Sequence, residues 1–155
     1  MKNKNQIYLI IILIVIVILI NGSFLIWLSD KKSEEESGFT FKITNKYFNL
    51  TPGKKMIYEA ETEDGSEVIE VYVMNETKIV NGIEVIVVWD MVWLEGELIE
   101  ETKDWYAQDK EGNVWYFGED SKEMLDGKIV SYAGSWEAGV DGAEAGIIME
   151  ANPVV

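Results

Sequence analysis

Hydrophobic and polar positions follow two regimes along this chain. Residues 7–28 run for 22 positions without a charge, and residues 10–20, IIILIVIVILI, are wholly aliphatic. From residue 39 onward, short apolar stretches alternate with polar positions and are cut at near-regular intervals by glycine turns. The first regime predicts one helix. The second predicts an antiparallel β domain.

A helix of that length rises roughly 33 Å, enough to cross a hydrocarbon core of about 30 Å. In lipid every backbone N–H and C=O must be satisfied within the segment, which makes a helix the economical solution for β-branched residues that favour it weakly in water. Asn21, Gly22 and Ser23 interrupt the run near its outer end, and Trp27 fits the interface. Lys2 and Lys4 precede the run, while Asp30 and Glu34 to Glu36 follow it, with only Lys31 and Lys32 arguing the other way. That asymmetry predicts a cytoplasmic N-terminus (1–6), a transmembrane anchor (7–28) and an exterior C-terminal part: a single-pass cell-membrane protein partnered by the bilayer. A cleaved signal peptide is the alternative, although no Ala-x-Ala site lies near residues 21–23. A lipoprotein is excluded because no cysteine exists to carry the lipid.

Residues 29–38, SDKKSEEESG, lack apolar periodicity and read as an acidic flexible tether. The domain expected behind it spans 39–155. Turn signals at Asp64-Gly65, Asn81-Gly82, Glu95-Gly96, Glu111-Gly112, Asp126-Gly127 and Asp141-Gly142 are spaced by 17, 14, 16, 15 and 15 residues. Glycine supplies the positive φ that tight hairpins need. Strands are predicted at 54–62, 67–79, 83–94, 97–107, 113–119 and 128–134, with a short helical turn at 121–125. In 83–94 the odd positions are all apolar and the even ones largely so, which predicts a central strand covered on both faces for part of its length. Residues 97–107 are half polar and fit one wet face. Six twisted strands must curl or close, so the expected fold is an all-β meander: a curved sheet or partly open barrel, with a two-layer sandwich as the alternative.

Composition changes the picture mainly by exclusion. The chain has no Cys, His or Arg. Disulfides, thiol and imidazole catalysis, and zinc on thiolate or imidazole are thereby excluded. Beyond residue 29, 28 acidic residues against 11 lysines leave a net charge of −17. Such a field repels nucleic acid and could attract a cation or a basic protein. No metal and no cofactor is expected. Asp109, Glu111 and Asn113 place oxygens at alternate positions, but Gly112 falls where an EF-hand loop does not allow it, and turn chemistry accounts for them better.

Three further features bear on chemistry. Trp-Tyr occurs at 105–106 and again at 115–116 on either side of a turn. Trp93, Trp105, Tyr106, Trp115 and Tyr116 are therefore candidate ligand-binding residues, because such rings stack on sugars or apolar ligands; cross-strand pairs closing a core are the competing reading. Asp90, set in an apolar strand, is the one acid whose pKa desolvation could raise, with a solvent-facing place at the strand end as the equal alternative. Asn49 and Asn75 satisfy the Asn-x-Thr pattern and are candidate glycosylation sites if the domain lies outside the cell.

The segments NKYFNLTPG (45–53), MIYE (56–59), DWYAQDKEGNVWYFGED (104–120) and GSWEAGVDG (134–142) carry a resemblance. On them the chain resembles uncharacterised secreted or membrane-anchored β-rich proteins of bacteria and archaea, over most of 41–153. The resemblance implies a compartment and a β-rich domain, not a reaction. Asn49 stands where that group usually has proline. The group also continues with further strands beyond NPVV (152–155), which implies a shortened chain with an unpaired edge. The expected function is accordingly a membrane-anchored extracytoplasmic β domain that binds a glycan, an envelope component or a partner protein. A structural envelope protein without a small ligand is the alternative, and a carboxylate-dependent envelope hydrolase with no assignable catalytic residue comes third.

Overall fold

The computed structural model describes residues 37–154, and among them the fold is all-β. Nine strands form one antiparallel sheet: β1 (Phe39–Thr40), β2 (Lys55–Thr62), β3 (Gly65–Val80), β4 (Ile83–Leu94), β5 (Glu97–Asp109), β6 (Val114–Leu125), β7 (Lys128–Ser131), β8 (Trp136–Glu137) and β9 (Gly146–Met149). Strands β2 to β7 follow one another as a meander, and the sheet curls into a half-barrel. The expected curved all-β architecture is therefore present. The expected cytoplasmic tail, membrane anchor and all but the end of the tether lie outside the described residues. Among the described residues no helix is long and apolar enough to cross a membrane.

Local chemistry explains most of the hairpins. Asn81 and Gly82 both take positive φ (48° and 79°), as do Glu95-Gly96 and Asp126-Gly127. Two consecutive left-handed residues match the twist of the flanking strands, so each pair closes a two-residue hairpin. The β5–β6 turn is longer: Asp109 N–H donates to the Asn113 carbonyl, and Gly112 N–H to the Asp109 carbonyl. The helical turn expected at 121–125 is instead the end of β6. Ser121 pairs with Thr102 and Glu123 with Glu100, so ladder hydrogen bonds on β5 override a weak local preference.

β6 is the strand around which the far edge is organised. Beyond β5, it is met in turn by β9 at Val114 to Tyr116, by β8 at Gly118 and Glu119, and by β7 at Glu123 to Leu125. Gly118 makes this possible. Its φ is +131°, and a Cβ there would collide with the Trp136 carbonyl oxygen and lie 2.9 Å from Glu137 Cα. Because those are backbone atoms, only glycine lets β8 approach.

Both faces of β4 are buried for part of its length, as its double apolar pattern predicts. Val85 and Val87 pack with Val80, Trp105, Ala107, Phe117 and Ala138. On the opposite side Ile86 and Val88 pack with Val73, Val114, Ile43 and Leu50. The last two residues come from the segment after β1, which leaves the edge of β5 and runs across the sheet before entering β2. That crossing segment, 41–54, creates the site described next.

Candidate functional site

Segment 41–54 is held to the sheet at both ends, by chemistry local to each. At its start, Asn45 is buried and fully used. Its Oδ1 accepts from the N–H of Tyr47 (2.8 Å) and of Phe48 (3.1 Å), and its Nδ2 donates to the carbonyls of Gly112 (2.8 Å) and Glu150 (3.2 Å). Gln108 adds a second clamp: its Oε1 accepts from the N–H of Thr44 and of Asn45 at 2.8 and 2.9 Å. At its end, Gly53 N–H donates to the Val73 carbonyl and Val73 N–H to the Lys54 carbonyl. Just beyond Val73 the β3–β4 ladder breaks and resumes at Thr77, so the segment docks where β3 bulges.

Between these anchors the segment stands off the sheet and leaves a cleft of about 390 Å³. One wall is the segment itself, with Tyr47, Phe48, Asn49, Leu50 and Lys54. The floor and opposite wall come from Met56 and Tyr58 of β2, Val71 of β3, Val88 and Asp90 of β4, and Tyr106 of β5. Tyr47 and Tyr58 are 53% and 54% exposed, so the rim is aromatic and open to solvent. The period-two pattern puts these strand residues on one face: Met56 opposes Val71, Val71 opposes Asp90, and Ile86 opposes Tyr106.

The same face carries a row of acids. Asp90 lines the cleft, and the Asp90 carboxylate has no hydrogen bond or ion pair among the described residues; its Oδ1 is buried without a partner. Burial, reinforced by the Glu100 charge, raises its pKa to about 6. This matches the expectation of a desolvated acid in an apolar strand. Asp104, only 5% exposed, sits beside Val88 on β5 and accepts a hydrogen bond from the Tyr116 hydroxyl at 2.5 Å. Burial lifts its pKa to about 7 against that bond, and the charges of Asp90, Glu119 and Glu100 push the same way. Tyr106 and Tyr116 are driven far above the usual phenol range, chiefly by burial and, for Tyr116, by its bond to Asp104. Both phenols keep their protons.

The five aromatic candidates are dispersed by the fold. Tyr106 and Tyr116 are brought face to face across the β5–β6 ladder, with stacked rings 5.0 Å apart. Phe48 meets Tyr106 edge-on at 5.4 Å, and Trp136 meets Tyr116 edge-on at 5.3 Å. Of the five, Tyr106 lines the cleft. Trp105 and Trp115 fall on the opposite side of the sheet. Trp105 is buried in that core, with the Lys78 ammonium 3.3 Å above its ring, and Trp115 packs against the same core with its indole N–H bonded to Asp109. Antiparallel pairing puts Tyr106 opposite Tyr116 but Trp115 opposite Ala107, while Trp105, past a register shift, faces Gly118. Trp93 lies half-buried near the end of β4, opposite Val68 and Leu98.

Asp109 is committed to its turn. It accepts from Asn113 N–H, Asn113 Nδ2 and Trp115 Nε1, each at 2.8 Å. Burial alone would raise its pKa, but these bonds prevail and hold the carboxyl below its ordinary value. Asn49 and Asn75 are both exposed, the first with its Oδ1 accepting from the Thr51 hydroxyl at 2.6 Å, the second in the β3 bulge. Sequence reasoning missed Asn45, Gln108 and Asp104. Nothing in a local window distinguishes a buried polar hub from a surface one; for Asn45, an Asx-type turn three residues before Phe48 was the available signal.

Comparison with protein-family models, with curated proteins and with solved structures gives no significant match.

Proposed function

We propose that this chain is a membrane-anchored, extracytoplasmic binding domain whose ligand occupies the cleft under segment 41–54. The cleft carries this reading. It combines an apolar floor, an open tyrosine rim and a sheltered carboxylate without a partner, the mixture of area and sparse polarity typical of ligand sites. The address rests on sequence alone: a charge-free run of 22 residues with lysines before it and acids after it. A panel of glycans and small envelope components, titrated into the full-length protein in detergent and followed by thermal shift, tests the binding. Wild type should respond, and Tyr58→Ala should respond less. A response unchanged by both Tyr47→Ala and Tyr58→Ala would place binding elsewhere. Accessibility of the C-terminal part to protease added outside intact cells tests the topology.

One observation favours a second reading, a carboxylate-dependent hydrolase. Asp90 and Asp104 both have raised pKa values on one face, and groups poised near neutrality are the kind that transfer protons. Glycan turnover that Asp90→Asn and Asp104→Asn each abolish would support it; turnover indifferent to both would end it.

A further inference from the structure

The cleft holds two opposite charges that do not satisfy each other. Asp90 has no hydrogen-bond or ion-pair partner among the described residues, and its Oδ1 is buried. A half-buried carboxylate with one oxygen buried and unpaired is costly, and a bound cation relieves that cost. Lys54 lines the same cleft, and its Nζ donates a hydrogen bond to the Asn49 carbonyl at 3.3 Å, which leaves its charge without a counter-charge. No carboxylate lies within ion-pair distance of Lys54 among the described residues. Met56, Tyr58 and Tyr106 line the same cleft around the two charges, an apolar and aromatic surface suited to a hydrocarbon body and to the face of an ammonium.

Simple ligands fit this arrangement poorly. A bare cation meets the Lys54 ammonium. A bare anion meets Asp90, with Glu100 and Asp104 close behind it, in a domain already strongly negative. An uncharged sugar leaves the buried carboxylate without a counter-charge.

Resting on the reading that this cleft holds a ligand, we infer that its occupant is a small zwitterion. Its ammonium meets the Asp90 carboxylate, its anionic group meets Lys54, and its body lies against Met56, Tyr58 and Tyr106. The acidic surface concentrates the cationic end near the cleft, and Lys54 selects among the cations that arrive. Acidification weakens binding, since protonating Asp90 removes the counter-charge. The groups facing Asp90 are Glu100 and Asp104 on the sheet, with Lys54, Tyr47, Tyr58 and Tyr106 around the cleft. Asp104 gains its proton over a similar range and acts with the same sign.

The test is isothermal titration of the full-length protein in detergent with para-aminomethylbenzoate and phosphocholine, beside benzylamine and benzoate. At least one zwitterion should bind about tenfold tighter than either single-charge compound at about pH 8, and weaken severalfold by about pH 5. Asp90→Asn should remove the advantage over benzoate, and Lys54→Met the advantage over benzylamine. Urea unfolding of both variants confirms that they fold, and Lys54, at the exposed rim, supplies the variant least able to disturb the sheet. Benzylamine or benzoate binding as tightly as the zwitterions overturns the inference, as does failure of both zwitterions to bind. An uncharged glycan that binds and is lost on Tyr58→Ala overturns the zwitterion while leaving the cleft as a binding site. Silence from every compound and from the glycan panel removes both.

Discussion

The two faces of β4 are built from the same kinds of residue and do different work. On the Val85 and Val87 side, Trp105, Phe117 and Ala138 close over the strand, with Phe39 meeting Phe117 and Trp115 edge-on at 5.4 and 5.8 Å. At its margin Lys78 is paired to Glu137 at 2.7 Å. On the Ile86 and Val88 side the apolar cover is a crossing segment rather than a strand. Beside Leu50 it stands off the sheet and leaves Asp90 lining the cleft. The first face is closed by side chains that fit. The second is held by hydrogen bonds at two anchor points, from the Asn45 and Gln108 side chains at one and from backbone to Val73 at the other, and the space between them is the cleft. A strand covered twice thus supplies both stability and a site, because only one cover needs to be complete.

The largest effect that can break this comparison is on the closed face. Trp105→Ala should cost about 4 kcal/mol in urea unfolding, from lost burial and the cavity left behind. A loss below about 1 kcal/mol would mean that the closed face is not the stabilising one. Next is the anchor of the open face. Asn45→Ala should cost about 2–3 kcal/mol, since two backbone donors and two acceptors lose their partner. Asn45→Asp keeps the acceptor side but turns a buried carboxylate oxygen on the Gly112 and Glu150 carbonyls, so it should cost at least as much as Asn45→Ala. A clearly smaller loss for Asn45→Asp would show that the turn matters more than the donors to Gly112 and Glu150.

The acid row gives an effect of similar or smaller size with a defined sign. The folded pKa values of Asp90 and Asp104, about 6 and about 7, lie above those of the unfolded chain, so the folded state binds more protons through the intervening range. Stability therefore rises on acidification from about pH 8 to about pH 5, on the order of 2 kcal/mol, and is lost again as pH climbs through 6 and 7. Asp104→Asn should flatten most of that slope; an unaltered slope would assign it to the remaining surface acids. Asp109, held low, has the opposite sign and matters only below about pH 4. The smallest stability effect belongs to the cleft rim. Tyr47→Ala and Tyr58→Ala should change the unfolding free energy by less than about 0.5 kcal/mol while reducing ligand response severalfold. A larger stability loss would make these tyrosines part of the core.

Much of the architecture was legible from residues alone, and for a local reason. Asn81-Gly82 and Asp126-Gly127 set φ at the turn itself, and the alternation in 83–94 records burial on two faces without reference to any partner. The short strands β1, β8 and β9 were not legible. Two to four residues hold no period, and each exists because a neighbouring strand offers free backbone groups at that place. The Trp-Tyr repeat misled for a related reason. Adjacent residues of a strand face opposite sides, so Trp105 and Tyr106 had to part company, and the register running back from the β5–β6 turn made Tyr106 meet Tyr116 and left Trp115 opposite Ala107. Asp90 stood out as a charge among apolar neighbours. Asp104, in a strand of many acids, did not; it is buried on the sheet face where the Tyr116 hydroxyl of the next strand bonds it.

By itself the sequence determined the β class, the hairpin boundaries, the double burial of β4 and the exclusion of thiol, imidazole and guanidinium chemistry. Each depends on residue identity or on a period shorter than a strand. Only the tertiary structure decided that segment 41–54 crosses the sheet, that Asn45 and Gln108 pin it, and that Asp90 is left facing a cleft without a partner. Those facts arise from contacts between residues tens of positions apart, which no local pattern encodes.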